Sequence, residues 1–544
     1  MRSIFRHSPA GAISARSLDP WRASGILAGV RLLMTHGYML SGTGSNVYVQ
    51  NLCRALVRGG HEVHLLCQEE HPLGYEFVDE HASVDGTIIE KLGGQETPYP
   101  GRCVVYNPRV GGLLPVYVYD DYPGWRVKTF LDLTGEELEN YLNRNVEAVG
   151  AVLRASGAGA VVTNHSVPGP QIARRALHDS GVPYASIVHG SCLQYVSRRS
   201  ERYMGLTREG LEGATEILAL SSHSAGTVAE DFPGLAERTR SLPGGVDTDL
   251  FRPDALDLDV LKSLNGGRGR GPEEQQALEA TLDRPDSVED LIEGLRTISG
   301  SYDARSHDRD AGERLEALLD SDDPLVVYLG KLIHSKGVHS LISAFAPVHQ
   351  ETGARLLVVG FGTFREGLQA LVHALDAGDE ENAGRLAERG RLLEGGDAEP
   401  LEHFGLSGSL AGDAKGFGRS IEFVGPLGHA ELAKILPAAD VAVVPSIFPE
   451  TFGLVAAEFA AVGVVPFVAD HSGLKEAGAL VGRDLPFDLQ VPMNGFEENL
   501  SAALEGFLSL PDGEREAHAA TVRRNSVESL GWSTLAEKVV AVFD

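Results

Sequence analysis

Two glutamates, Glu450 and Glu458, stand eight residues apart in the run PETFGLVAAE, across a glycine-containing turn from a strand into a helix. If the whole stretch were helical, eight residues at about 1.5 Å each would span roughly 12 Å, which is the reach of a nucleotide sugar from hexose to ribose, so each carboxylate can hold one end. Glu450 follows Pro449 and is placed on the loop. Thr451, Phe452, Gly453 and Leu454 carry the chain into the helix, where unpaired N–H groups suit an anion. Glu458 is expected two turns in. The bland alternative is a pair of solvated glutamates. Against it, Leu454, Val455, Ala456, Ala457, Phe459, Ala460, Ala461 and Val462 make the helix apolar on nearly every side, so Glu458 needs a partner.

The segment Gly330 to Gly337, GKLIHSKG, presents Lys331 and Lys336 at a spacing that lets both ammonium groups reach one diphosphate, where their charge suits a departing phosphate. Two lysines snorkelling from an exposed loop is the competing reading. His189 closes the strand in SIVHGS, at the end where ligands gather in open α/β sheets, or it is a packed loop residue. The turn Ser41 to Asn46, SGTGSN, offers Gly42 and Gly44 for close approach of backbone amides to a phosphate or sugar. Val47 stands where a dinucleotide fingerprint needs its third glycine, which disfavours NAD. Tyr106, Tyr117, Tyr119, Tyr122 and Trp125 can stack on an acceptor ring or form an ordinary aromatic cluster.

The elements that must carry these residues alternate between strands and helices. Apolar runs at 29–35, 61–67, 160–163, 184–189 and 216–220 read as strands, with a helix over NVYVQNLCRALVRGG, and the pattern restarts at 325–329, 355–359, 421–424, 441–444 and 464–468. Two doubly wound parallel sheets account for the alternation. The expected layout is an extension over 1–29, a first Rossmann-like acceptor domain over 30–250 and an acidic insertion or linker over 251–323. A second, nucleotide-sugar domain follows over 324–530, itself interrupted at about 371–419, and then a terminal helix over 531–544. Residues 255–323 hold 18 acids against 8 bases, which fits a partly helical insertion or a mobile linker.

With 544 residues, 43% of them hydrophobic, the chain can build two or three cores. A net charge of -29 excludes a nucleic-acid backbone as an ordinary partner and opposes docking to anionic lipid. Cys53, Cys67, Cys103 and Cys192 have no C-x-x-C spacing and read as free thiols of a reducing compartment, so a cytoplasmic location is expected. Arg2, Arg6, Arg16 and Arg22 against the one acid Asp19 make the first 29 residues transit-peptide-like, or simply a disordered extension.

Taken in order, these motifs resemble the retaining glycosyltransferases of GT-B fold known as family 4, which carry E-x7-E at the position of Glu450 and Glu458. The resemblance covers most of the chain apart from the first thirty residues and two insertions. It implies a hexosyl transfer from a nucleoside diphosphate sugar, UDP-linked in preference to GDP-linked, to a small or lipid-linked hydroxyl acceptor, with retention and without a metal or other cofactor. It gives Glu458 to the ribose, Glu450 to the hexose, Lys331 and Lys336 to the diphosphate, and His189 to the sugar near the reacting carbon. It also sets the SGTGSN loop and Gly362 of GFGT beside the donor, and Gly425 to Leu427 beside the base. Gly245 to Asp247 of PGGVD mark the exit from the first domain. Lys331 stands where the family commonly has arginine, so bidentate phosphate contact is lost there. The stretch GTGSNVYV is similar to the glycine loop of the inositol-phosphate N-acetylglucosaminyltransferases of mycothiol synthesis. A GT-B sugar-nucleotide epimerase, or a non-catalytic GT-B protein that binds nucleotide or glycan, remains the alternative.

Overall fold

The computed structural model describes residues 29–118, 122, 124–283, 285–395, 398–405 and 416–544. The N-terminal extension, Tyr119 and parts of the stretch 371–419 lie outside them. The chain forms two compact units, one of 29–245 with Leu530–Asp544 and one of Val246–Ser529.

The first unit strings together β1 (Arg31–Thr35), β2 (Glu62–Leu66), β3 (Glu80–Asp85), β4 (Ile88–Gly94), β5 (Arg102–Pro108), β6 (Leu113–Val116), β7 (Arg126–Thr129), β8 (Ala160–Asn164), β9 (Tyr184–Val188), β10 (Ile217–Ala219) and β11 (Thr239–Ser241). Nine of these make one sheet in the order β11-β10-β9-β8-β1-β2-β5-β3-β4, while β6 and β7 pair separately. All neighbours in the large sheet run parallel except the edge hairpin β3–β4. Alternate residues of β1 enter opposite layers: Leu33 joins one apolar cluster, Leu32 and Met34 the other. Both faces are therefore covered, which is why β8 and β9 are buried at every position and read as mostly apolar runs.

The terminal helix Trp532–Val540 belongs to this first unit. Its Trp532 meets Tyr48 edge-on at 5.0 Å. Gly245 lies so close beneath the indole that a Cβ there would stand 2.5 Å from a ring carbon. Among the aromatic residues considered as an acceptor platform, Tyr106 is a core residue, Tyr117 packs half-buried against the core, and Tyr122 and Trp125 pack on the small cluster of Tyr38, Leu114 and Val116.

The second unit carries β12 (Leu325–Leu329), β13 (Arg355–Val359), β14 (Ile421–Phe423), β15 (Val441–Val444), β16 (Val465–Ala469) and β17 (Gln490–Val491) in one sheet ordered β14-β13-β12-β15-β16-β17, all parallel. In units of its own chain order this is 3-2-1-4-5-6, so strand order reverses between β12 and β15, the place at whose carboxyl ends open α/β sheets hold ligands. No helix among the described residues is long and apolar enough to cross a membrane.

The acidic stretch before β12 folds into helices Pro272–Leu282, Val288–Ser299 and Ala311–Leu319. It is fastened to the sheet by buried charge. Asp308 accepts from Arg365 at 2.9 and 2.6 Å and from Arg314 at 2.6 Å, and its N–H bonds the Val424 carbonyl at 3.1 Å. Arg270 and Tyr302 both bond Glu366 Oε1, at 3.2 and 2.9 Å. The same segment abuts the turn after β14, where a Cβ on Gly425 would meet Ser306, His307 and Asp308 at 3.1 Å. Asp308→Ala, which leaves the buried Arg365 guanidinium without its carboxylate, should destabilise this unit by about 3–5 kcal/mol, read as a lower urea midpoint for its transition.

Candidate functional site

At the β12/β15 reversal, two backbone turns lie against each other. The chain leaves β12 through Gly330 and a tight turn at His334–Lys336, closed by Gly337 with φ 67°. A Cβ on Gly337 would sit 2.0 Å from the Pro445 carbonyl oxygen, so only glycine lets the two turns meet. The turn after β13 approaches just as closely: Cβ atoms on Gly360 and Gly362 would fall 1.8 Å from the Gly330 oxygen and 2.2 Å from the Leu332 oxygen.

These approaches bring Lys336 Nζ onto Glu450 Oε1 as an ion pair across 114 residues of sequence. Ser446, two residues past β15, donates to the same oxygen at 2.7 Å. The Glu450 N–H donates to Ser472 Oγ at 2.9 Å, and its carbonyl accepts from Gly473 N–H at 2.9 Å. Gly473 has no room for a side chain, since a Cβ would be 2.4 Å from the Thr451 oxygen. Phe452 is buried, and Gly453 leads with φ 121° into the helix Leu454–Ala461. Lys331 is exposed, and its carbonyl accepts from the Tyr328 hydroxyl at 2.8 Å. Burial, and after it the Glu450 charge, push the Tyr328 phenol far above its ordinary range.

Glu450 is on the loop. Because the helix begins only at Leu454, Glu458 stands just past the first turn rather than two turns in, and the helical part of the path to it rises about 6 Å. Its partner is His429 Nε2 at 3.4 Å. The Glu458 carboxylate raises the His429 pKa by hydrogen bonding, against the desolvation that lowers it. The composition of the helix demanded a partner for Glu458. The identity of His429, together with Ser446, His471 and Ser472 around Glu450, went unread, because only the folded chain brings them in.

In the first unit the strand order reverses between β1 and β8, and here the chemistry is of another kind. His189 caps the short helix after β9 and is 6% exposed. Its Nε2 lies 3.2 Å from Asn164 Oδ1, while Asn164 Nδ2 donates to the Thr35 carbonyl at 3.1 Å, so the amide oxygen faces the ring and Nε2 carries the proton. His36 Nε2 lies 3.0 Å from Asn46 Oδ1, and Asn46 Nδ2 donates to Ser41 O at 2.6 Å, which ties the SGTGSN turn to β1. Gly42 and Gly44 stay on the exposed side of that turn, and Gly42 has φ 98°. Between the two histidines lies His165, its ring 5.6 Å from His36 and 4.7 Å from His189, with no hydrogen bond to either nitrogen among the described residues. A cavity of about 30 Å³, lined by Thr35, His36, Asn164 and His165 among others, adjoins this cluster. It has room for one water. Burial lowers His36 to about 4 and His189 to about 3, and His165 falls well below its ordinary value.

Comparison with known proteins agrees with both halves. The profile described as "Glycosyl transferase 4-like domain" matches residues 43–245, and "Glycosyl transferases group 1" matches residues 412–479. Among curated proteins, an uncharacterized glycosyltransferase of Methanocaldococcus jannaschii is 23% identical over 222 residues, 41% of this chain and 45% of that protein. Glycogen synthase of Mycobacterium tuberculosis is 30% identical over 223 residues, 40% of this chain and 42% of that protein. The matched stretch thus spans less than half the length of either relative. Among solved structures, sucrose-phosphate synthase of Thermosynechococcus elongatus superposes with a TM-score of 0.52 at 19% identity, covering 94% of this chain and 98% of that one. Anabaena HepE, solved with UDP and glucose, superposes with 0.50 at 13% identity, covering 94% and 98%. At these identities the likeness speaks for the fold.

The three buried histidines make the first unit acid-labile. Their folded pKa values lie below the unfolded value, so above about pH 6.5 both states are neutral and nothing is lost. Below it the unfolded chain takes up protons that the folded chain refuses. Each such histidine then removes about 1.4 kcal/mol of stability per pH unit, until pH reaches the folded values near 4 and 3 for His36 and His189. Urea unfolding between pH 7.5 and 5 should show the decline, and His165→Asn, a residue that accepts the local φ of 70°, should flatten it by about a third of the three-histidine slope.

Proposed function

Since the chain belongs to the GT-B glycosyltransferases of group 1, family 4 type, we propose that it transfers a hexosyl unit, with retention, from a nucleoside diphosphate sugar to a hydroxyl acceptor. The observation that carries the reading is the Lys336–Glu450 pair at the β12/β15 reversal, on the loop that leads into the helix bearing Glu458. A cation and a carboxylate are held there beside backbone turns that only glycines can form.

The residues divide the donor among themselves. Glu458 takes the ribose hydroxyls, exchanging its contact with His429 for them. Lys336 and the exposed Lys331 face the diphosphate, and their charge grows in value as the glycosidic bond breaks and negative charge collects on the leaving oxygens. Glu450 accepts from a hexose hydroxyl and so fixes the sugar relative to that bond. His189, neutral at ordinary pH because of its burial, contributes hydrogen bonding and shape rather than charge near the reacting carbon. The lysines supply the electrostatic role that a divalent cation fills elsewhere, so turnover should survive chelation. A UDP-linked donor is favoured by the HepE likeness, since that protein was solved with UDP and glucose.

Calorimetry with UDP, GDP and ADP, followed by release of free sugar from the matching sugar nucleotide, tests the reading. One nucleotide should bind, and its sugar conjugate should turn over equally with EDTA and with magnesium. Glu458→Ala should weaken nucleotide binding by about 1.5–3 kcal/mol, the range of a hydrogen bond to a charged group, with kcat nearly unchanged. Lys336→Ala should instead lower kcat by about 100-fold, as removal of a transition-state charge contact does. Binding without any turnover in the unaltered chain would point to a non-catalytic protein, and a changed sugar on the recovered nucleotide would point to an epimerase.

A further inference from the structure

We propose that His471 is a positioning residue for Glu450, acting through a closed circuit of hydrogen bonds that aims one carboxylate oxygen at the donor. The proposal rests on the reading of Glu450 as the contact to the donor sugar.

The circuit is built at the carboxyl ends of β15 and β16. His471 Nε2 lies 2.6 Å from the Ser446 carbonyl oxygen, which can only accept, so the ring proton is on Nε2. Nδ1 is then a bare acceptor, and it lies 3.0 Å from Ser472 Oγ. That hydroxyl receives the Glu450 backbone N–H at 2.9 Å, so its own proton is available to Nδ1. Ser446 Oγ, on the residue whose carbonyl holds the histidine, donates at 2.7 Å to Glu450 Oε1. The chain of bonds leaves Glu450 by its backbone N–H and returns to it at its carboxylate. Every donor meets an acceptor for one histidine tautomer and an ionised glutamate.

Two consequences follow. Ser446 and Lys336 both fall on Oε1. Oε2 takes no protein hydrogen bond among the described residues, so the circuit fixes the carboxylate plane and presents Oε2 to a sugar hydroxyl. The second consequence concerns strain. Ser472 has φ 50°, in the left-handed region that a serine seldom occupies. Glycine would hold that backbone without strain but would provide no hydroxyl to join Glu450 to His471.

That contrast supplies the test in the full chain. Ser472→Gly relieves the backbone and opens the circuit. We expect its melting temperature to equal or exceed that of the parent and UDP affinity to stay within about twofold. The kcat for release of glucose from UDP-glucose should fall about 10- to 100-fold, the scale of a misplaced reacting group. His471→Ala should reproduce the loss of kcat. Full kcat in Ser472→Gly would overturn the proposal, because the circuit would then serve the fold alone. A second measurement does not depend on turnover: nitrogen-15 NMR of the histidine side chains should find His471 in the Nε2–H tautomer in the parent and altered in Ser472→Gly. An Nδ1–H or doubly protonated ring in the parent would sink the circuit. The expected tautomer in a chain that neither binds UDP nor hydrolyses UDP-glucose would leave the circuit standing and refute the UDP-sugar reading instead.

Discussion

The arrangement around Glu450 hangs on one close approach, that of the turn after β12 to the backbone leaving β15. A side chain at Gly337 would overlap the Pro445 carbonyl, and moving the turns apart would carry Lys336 away from Glu450. The reversal of strand order makes that approach useful. Connections after β12 and β15 run to opposite sides of the sheet, so the space between their ends is not filled by a crossing helix. Glycines at 330, 360 and 362 extend the same logic to the turn after β13, whose backbone is pressed against the β12 turn. The fold thus delivers three strand ends to one place, and glycine is what allows their backbones to touch.

The pair this produces is a poor stabiliser. The Lys336 and Glu450 side chains keep about a quarter of their surface in water, at 28% and 24%, and ion pairs so hydrated contribute on the order of 0–1 kcal/mol. The Asp308–Arg365 pair differs, because both side chains are 2% exposed and bind a whole helical segment to the sheet. One set of charges is buried where removal of a partner would be severe. The other sits where water and ligand can reach it, and where an exchange of partners costs little.

Parts of this were legible in the sequence for a physical reason. β12, β13 and β15 were read at the positions they occupy, because strands covered on both faces appear as short apolar runs ended by glycine or a helix start. The hairpin β3–β4 was not, since Ile88 and Leu92 point into solvent at 70% and 52% exposure, and the half-polar pattern of an edge does not stand out. The same division holds at the site. Glu450, Glu458 and Lys336 carry a spacing that can be recognised along the chain. Ser446, His471, Ser472 and His429 have none, because their meaning comes from contacts made after folding. The acidic segment before β12 was legible as helical or mobile from composition, but its anchor, Asp308, is one acid among eighteen there.

The two strand-order reversals also show that one topology can hold opposite electrostatics. Beside β1 and β8, three histidines are buried so thoroughly that burial keeps them neutral, and amides fix which ring nitrogen of His36 and His189 bears the proton. A charge brought beside these rings would lose its hydration without a counter-ion. Beside β12 and β15 a lysine and a carboxylate form a partly wet ion pair, which suits a ligand with an anionic part and a polyol part. Topology alone thus leaves the chemistry of a reversal open, and burial decides it more than residue type does.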